Sequence, residues 1–223
     1  MGITAEELVS HYPRLYHMAE LGTWSSIRSH GLLSTSSLLD LYGIDGEERR
    51  QIECCRRPES VTIRHEKYGP AVIRDQKPMS DSALRKCLSG MSPKEWYILL
   101  NKRVFFWLTP ERVLGLLSAR VYRDREHTVL TIDTAKLLNL HHKRVTLSPI
   151  NSGSTVYNPQ PRGADTFRTL GTYPFEKWQQ KRRSARKAVA ELAVEYSVPN
   201  IKELVLRVER RKQSRILEVI YES

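Results

Sequence analysis

Along the chain, stretches in which apolar residues recur every three or four positions give way to short runs in which apolar and polar residues alternate. The first pattern marks helices and the second marks half-buried strands. Thr4 followed by Glu7 has the spacing of a reciprocal capping box and predicts a short helix through about Ser10. Pro13 breaks that pattern, and Arg14 to Met18 reads as a strand with His17 on it or just after it. Thr23 stands where it would cap a helix whose Trp24, Ile27 and His30 share one face, with Gly31 as the closing residue. A further short helix is expected from about Ser36 to Gly43, and a charged one from Glu47 to Arg57. Val61 to Arg64 and Ala71 to Arg74 alternate on either side of Tyr68, Gly69 and Pro70, the pattern of a hairpin.

Ser80 to Leu88 and Pro93 to Leu100 read as helices, the second with Ser92 as its cap and Pro93 at the tolerated first position. Val104 to Leu108 is the most hydrophobic strand. A helix follows from Pro110 to about Arg120, with Val113, Leu114 and Leu117 on one face. Thr128 to Asp133 is a β-branched strand leading into a short helix, Thr134 to Leu138. Residues 148–174 are rich in Pro, Gly, Ser, Thr and Asn, and a connection of that length favours a binding loop. Trp178 to Ala190 is expected as a basic helix, Glu191 to Glu195 as a strand, Ile201 to Glu209 as a strand or a helix and a strand, and Arg215 to Tyr221 as a final strand. No internal repeat or low-complexity linker divides residues 1–223, so one domain is expected. Its helices and short strands do not alternate regularly, which favours the α+β class.

Composition narrows this picture. With 40% hydrophobic and 27% charged residues in 223, the chain can bury one sizeable core. Its longest apolar runs fall far short of the roughly 20 residues needed to cross a bilayer. The first 30 residues carry His11, Arg14 and Glu20 and lack the apolar core of a signal peptide, so a cytoplasmic protein with no membrane partner is expected. Three cysteines, two of them adjacent at Cys54 and Cys55, make neither a disulfide framework nor a zinc knuckle. A reducing compartment and no structural metal follow as expectations. The formal charge of +11 draws polyanions, nucleic acid first among them, although many basic proteins bind none.

Three places could carry chemistry: His17 beside Tyr16, the aromatic run Phe105-Phe106-Trp107, and Glu191 at the head of a strand. Each has an ordinary structural explanation. A histidine on a strand can bond the backbone, aromatics in an apolar strand are commonly core, and a glutamate before a strand is commonly solvated. In this order, however, the segments resemble ADP-ribosyltransferase-fold enzymes. Leu15-Tyr16-His17, then Trp24, Ile27 and His30-Gly31-Leu32-Leu33-Ser34, is similar to the opening of that fold. Val104 to Leu108 with Thr109-Pro110 is similar to its second element. Ala190-Glu191-Leu192-Ala193-Val194, with Val198-Pro199 and Ile201 following, resembles the catalytic-glutamate strand of DarT-type nucleic-acid ADP-ribosyltransferases.

The resemblance implies a single ADP-ribosyltransferase-like domain built on a split, twisted, mixed or antiparallel sheet flanked by helices, with NAD as substrate and no metal. Glu191 would be the catalytic carboxylate, which suits an oxocarbenium-like transition state. His17, beside Tyr16, would donate to a ribose hydroxyl, and one of Phe105, Phe106 or Trp107 would stack on nicotinamide. Arg74 would hold the pyrophosphate. Residues 148–187 would recognise the acceptor, with Asn151 to Thr155 in the loop and Arg162, Trp178, Lys181, Arg182, Arg183 and Arg186 against a nucleic acid; a solvated basic helix explains the last part equally well. A toxin or anti-phage role with a cognate antitoxin would follow. The remaining alternatives are a protein-modifying transferase, an NAD glycohydrolase, and a basic nucleic-acid-binding module without chemistry.

Overall fold

The chain begins its first helix where Thr4 and Glu7 direct it. The Thr4 hydroxyl accepts from the Glu7 N–H at 3.2 Å, and the Glu7 carboxylate accepts from the Thr4 N–H at 2.8 Å. The structure is a computed structural model describing residues 2–156 and 158–223. After α1 (Ala5–His11) come β1 (Arg14–Glu20), α2 (Trp24–His30), β2 (Leu32–Leu33), α3 (Thr35–Leu41) and α4 (Gly46–Cys54). The hairpin of β3 (Val61–His65) and β4 (Gly69–Ile73) leads to α5 (Asp81–Cys87), β5 (Leu88–Ser89), α6 (Pro93–Asn101), β6 (Arg103–Trp107) and α7 (Pro110–Leu117). Next are β7 (His127–Asp133), α8 (Thr134–His141), β8 (Val145–Ser148) and β9 (Arg162–Gly163). The chain closes with α9 (Phe175–Arg182), α10 (Ala185–Ala188), β10 (Glu191–Glu195), β11 (Ser197–Val198), α11 (Ile201–Leu204), β12 (Val205–Lys212) and β13 (Arg215–Glu222).

Seven strands form one antiparallel sheet in the order β13-β12-β7-β1-β6-β10-β8. β1 pairs with β7 at every residue from Arg14 to Glu20, yet it meets β6 at a single registered position, Tyr16 opposite Trp107. Pairing is continuous again between β6 and β10, from Trp107–Glu191 to Arg103–Glu195. The sheet therefore narrows in its middle to one pair. One face carries Leu15, Phe106, Leu130, Leu147 and Leu192, which pack with Leu8, Tyr173 and Phe175. On the other face Met18 and Val129 pack under Val113 and Leu117 of α7, and Ala193 packs under Leu84 and Trp96. Each fully buried leucine in these layers contributes about 1.5–3 kcal/mol. Helices and an antiparallel sheet make the class α+β. Among the described residues no helix is long and apolar enough to cross a membrane.

Several local expectations are corrected. β1 runs on through Ala19 and Glu20, which still pair with Thr128 and His127, so His17 lies mid-strand. Thr23 does not cap α2: its backbone is already helical and its hydroxyl donates to the Glu20 carbonyl at 2.8 Å. Gly31 does close α2, at φ +86°, and it also sits so close to the chain that an added Cβ would stand 2.6 Å from Pro199 Cα. Residues 201–209 divide into α11 and the start of β12. The basic helix expected over 178–190 is two helices, because Arg183 turns to φ +53°. The Arg183 N–H bonds the Gln180 carbonyl and the Ser184 N–H bonds the Gln179 carbonyl, the hydrogen-bond pair that terminates a helix in a Schellman motif, here with arginine in the position glycine favours.

Candidate active site

Glu191 opens β10 and is flanked across the sheet by Trp107 on β6 and Ser148 on β8. Directly opposed residues share a face, so Tyr16, Trp107, Glu191 and Ser148 form one row across four strands. The chain entering β10 is fixed by buried groups. The Tyr12 hydroxyl donates to the Ala185 carbonyl, the Tyr173 hydroxyl donates to the Ala188 carbonyl at 2.7 Å, and the Ala190 N–H donates to the Ser148 carbonyl at 2.8 Å. Glu191 is only 4% exposed, and its Oε2 accepts from the Ser152 N–H at 3.0 Å. Burial pushes its carboxyl up from 4.5 to about 7, against the opposing pull of the Ser152 hydrogen bonds and the positive charges of Arg112 and Arg162. A carboxyl so placed exchanges its proton near neutrality, the condition for general acid–base work.

Beside this row lies a cleft of about 520 Å³, lined in part by Arg112, Asn151, Arg162, Trp178, Lys181 and Arg182. Two of its cations, Arg112 and Arg162, act on the Glu191 carboxyl, while Lys181 and Arg182 stand at the Trp178 wall. Lys181 Nζ and the Arg182 guanidinium lie 4.8 and 5.4 Å from the centre of the Trp178 ring, and Arg182 also donates to the Pro149 carbonyl at 2.6 Å. Arg112, in the first turn of α7, is held below the ordinary arginine range chiefly by burial, then by the neighbouring Arg182, with Glu191 opposing.

His17 is placed differently. By strand alternation it shares the side of Leu15 and Phe106, opposite to Tyr16 and Glu191, and its ring is tilted against Phe106 at 5.8 Å. Its Nδ1 lies 2.8 Å from the Phe105 carbonyl, at the place where β1 and β6 part. A carbonyl can only accept, so Nδ1 carries the proton. Burial, with Arg74 adding to it, pulls the imidazolium down to about 4, so the ring is neutral and its Nε2 bare. In this tautomer the neutral ring can accept a hydrogen bond at Nε2.

The other predicted residues divide. Phe106 is 1% exposed and belongs to the core, and Phe105 packs against Phe167 at 5.9 Å. Phe105 and Trp107 are both partly exposed, and Trp107 stands in the row with Tyr16 and Glu191, packed with Tyr16 against Val113 and Leu117 of α7. Arg74 is not in the cleft: it donates to the Met18 carbonyl at 3.2 Å and covers the Tyr122 ring at 4.7 Å. Arg162 is not on the surface but 4% exposed, with its guanidinium bonded to the Gln160, Ser152 and Ser154 carbonyls. Trp178 and Arg182 are partly buried at the cleft wall, while Lys181, Arg183 and Arg186 are exposed, Arg186 lying 3.9 Å from Glu111.

Sequence reasoning overlooked Arg112 and the part played by Ser152. The spacing of Arg112, two residues into a helix that follows directly on the aromatic strand, was an available signal. No local pattern ties Ser152 to Glu191. The chain matches, over residues 13–205, a family described as a family of unknown function (DUF7002), and it belongs to that family. No curated protein matches it.

Proposed function

We propose that this member of the DUF7002 family transfers ADP-ribose from NAD to a nucleic acid, with Glu191 as the catalytic carboxylate. What carries the reading is a buried carboxyl pushed up to about 7 that faces Arg112 and Arg162, two of the cations lining the neighbouring cleft. In the reaction the bond from the ribose C1′ to the nicotinamide nitrogen breaks, and its electron pair leaves with neutral nicotinamide. A nucleophile on the nucleic acid bonds to C1′ and loses its proton to Glu191. The ionised carboxylate stabilises the positive charge that develops on the ribose as the bond lengthens.

The chain's own residues would divide the work as follows. Arg112 would neutralise the pyrophosphate in place of Arg74, since it shares the cleft with Glu191's surroundings. Trp107, which is registered opposite Glu191, would supply the ring for nicotinamide, with Tyr16 behind it against the α7 cluster. His17 lies on the opposite face of the sheet from Glu191, so its part would be to hold the edge of β6 through the Phe105 carbonyl rather than to touch the ribose. Trp178, with Lys181, Arg183 and Arg186, would present a stacking ring and phosphate-neutralising charges to a single strand.

The test is to incubate the protein and its Glu191→Gln variant with NAD and defined DNA and RNA strands and weigh the strands by intact mass. Addition of one ADP-ribose by the wild type and none by the variant supports the reading. Salt-sensitive strand binding with unchanged strand mass and unconsumed NAD would replace it with the non-catalytic binding module.

A further inference from the structure

Arg162 is an arginine in a polar loop that ought to reach solvent and instead is 4% exposed. Its guanidinium is spent on main chain: Nε donates to the Gln160 carbonyl at 3.1 Å, Nη1 to Ser152 at 2.9 Å and Nη2 to Ser154 at 2.9 Å. The cation lies 5.7 Å from the centre of the Trp96 ring. Its own backbone is pinned as well, because β9 pairs in parallel with β5, Leu88 with Arg162 and Ser89 with Gly163. Gly163 permits that approach; an added Cβ would stand 2.4 Å from the Ser89 carbonyl oxygen. The loop is tied a second time at Thr155, whose N–H donates to the Pro78 carbonyl and whose hydroxyl accepts from the Ser80 N–H, both at 2.8 Å. The loop is thus wrapped around a guanidinium.

Ser152 is gripped from both sides. Its carbonyl accepts from Arg162, and its N–H donates to Glu191. The geometry points to Arg162 as a positioning residue for Glu191: it holds the Ser152 and Ser154 carbonyls so that the Ser152 N–H is presented to the carboxyl before any ligand arrives. Its bonds run to neutral carbonyls, so its charge is left to act on the carboxyl beside it. The groups facing Glu191 are Arg112 from α7, Arg162 from β9 and Ser152 from the loop; those facing Arg162 are Glu191 and Cys87. A planar five-donor fork is what such a site requires. An ammonium supplies the charge without the three-way geometry, and a thioether supplies neither.

This inference depends on the transferase reading only for its effect on turnover, so the experiment reads the carboxyl directly. The Glu191 side-chain carbon is titrated by NMR in the wild type, Arg162→Met and Arg162→Lys. In Arg162→Met the midpoint is expected to rise by about one unit or more, since an opposite charge and an oriented donor are both lost. Arg162→Lys is expected to raise it less and to recover part of any lost turnover. A folded Arg162→Met with the wild-type midpoint would overturn the inference. Should Arg162→Met fail to fold, the wild type alone decides: the Ser152 amide and the Arg162 Nε–H signals must shift with the midpoint of the carboxyl, and signals that ignore that titration would equally overturn it. A shifted midpoint in a protein that never consumes NAD would reject the transferase reading and leave the positioning role standing.

Discussion

Replacing Glu191 by glutamine is expected to make the protein more stable at alkaline pH. The carboxyl's pKa rises from 4.5 in an exposed chain to about 7 in the fold, so between those values the native state holds a proton that the unfolded state has released. The unfolding free energy therefore falls as pH rises through that window and is flat on either side of it. At about 1.36 kcal/mol per unit, the loss from this one group is about 3 kcal/mol, a large part of the total for a domain of this size. Glutamine does not titrate, has nearly the same shape, and keeps an oxygen for the Ser152 N–H, while its NH₂ stands in for the protonated carboxyl's O–H. The two proteins should accordingly be about equally stable at pH 5, with the variant ahead by about 2–3 kcal/mol at pH 8. Denaturant unfolding at pH 5, 6, 7 and 8, with the slopes checked for equality, measures the difference. Curves for the two proteins that stay parallel across the range would refute the burial and ionisation assigned to Glu191.

Arg183→Gly should stabilise the fold by about 1 kcal/mol, because Arg183 occupies a left-handed position at φ +53° where glycine carries no Cβ penalty; a melting temperature unchanged or lowered would count against it. Gly163→Ala should destabilise the loop that carries Ser152, since the new methyl meets the Ser89 carbonyl at 2.4 Å, and hydrogen exchange at the Ser152 amide should quicken well beyond that of the β7 core. His17 has a folded pKa depressed from 6.5 to about 4, so its contribution to stability is present above pH 6.5 and is lost as pH falls toward 4. A His17 ring that titrates above 6 by NMR would contradict that placement.

How much of this was legible in the sequence depends on how local the cause was. The capping box at Thr4, the cap at Ser92, the Gly31 terminator and the strand beginning at Glu191 are each dictated by neighbours within a few residues, and each is where the pattern puts it. Charge density alone suggested one long basic helix over 178–190. The break at Arg183 could not be read, because arginine gives no signal for a left-handed turn. Polar loops read as surface, so Arg162 was placed outside; only the tertiary positions of the Ser152, Ser154 and Gln160 carbonyls give it somewhere to go inside. Alternation could show that His17 and Tyr16 face opposite ways but not which way is inward, and register with Trp107 decides that Tyr16 joins Glu191.

The most direct test of the central claim is the rate of nicotinamide release from NAD by the wild type and by Glu191→Gln at pH 8, where the variant is expected to be the more stable of the two and its denaturant midpoint checks that a loss of rate is not a loss of fold. The account predicts steady release by the wild type and a fall of about 100-fold or more in the variant, as expected when a carboxylate aimed at developing positive charge is removed. Equal rates, or no release by the folded wild type with any nucleic acid present, would contradict it.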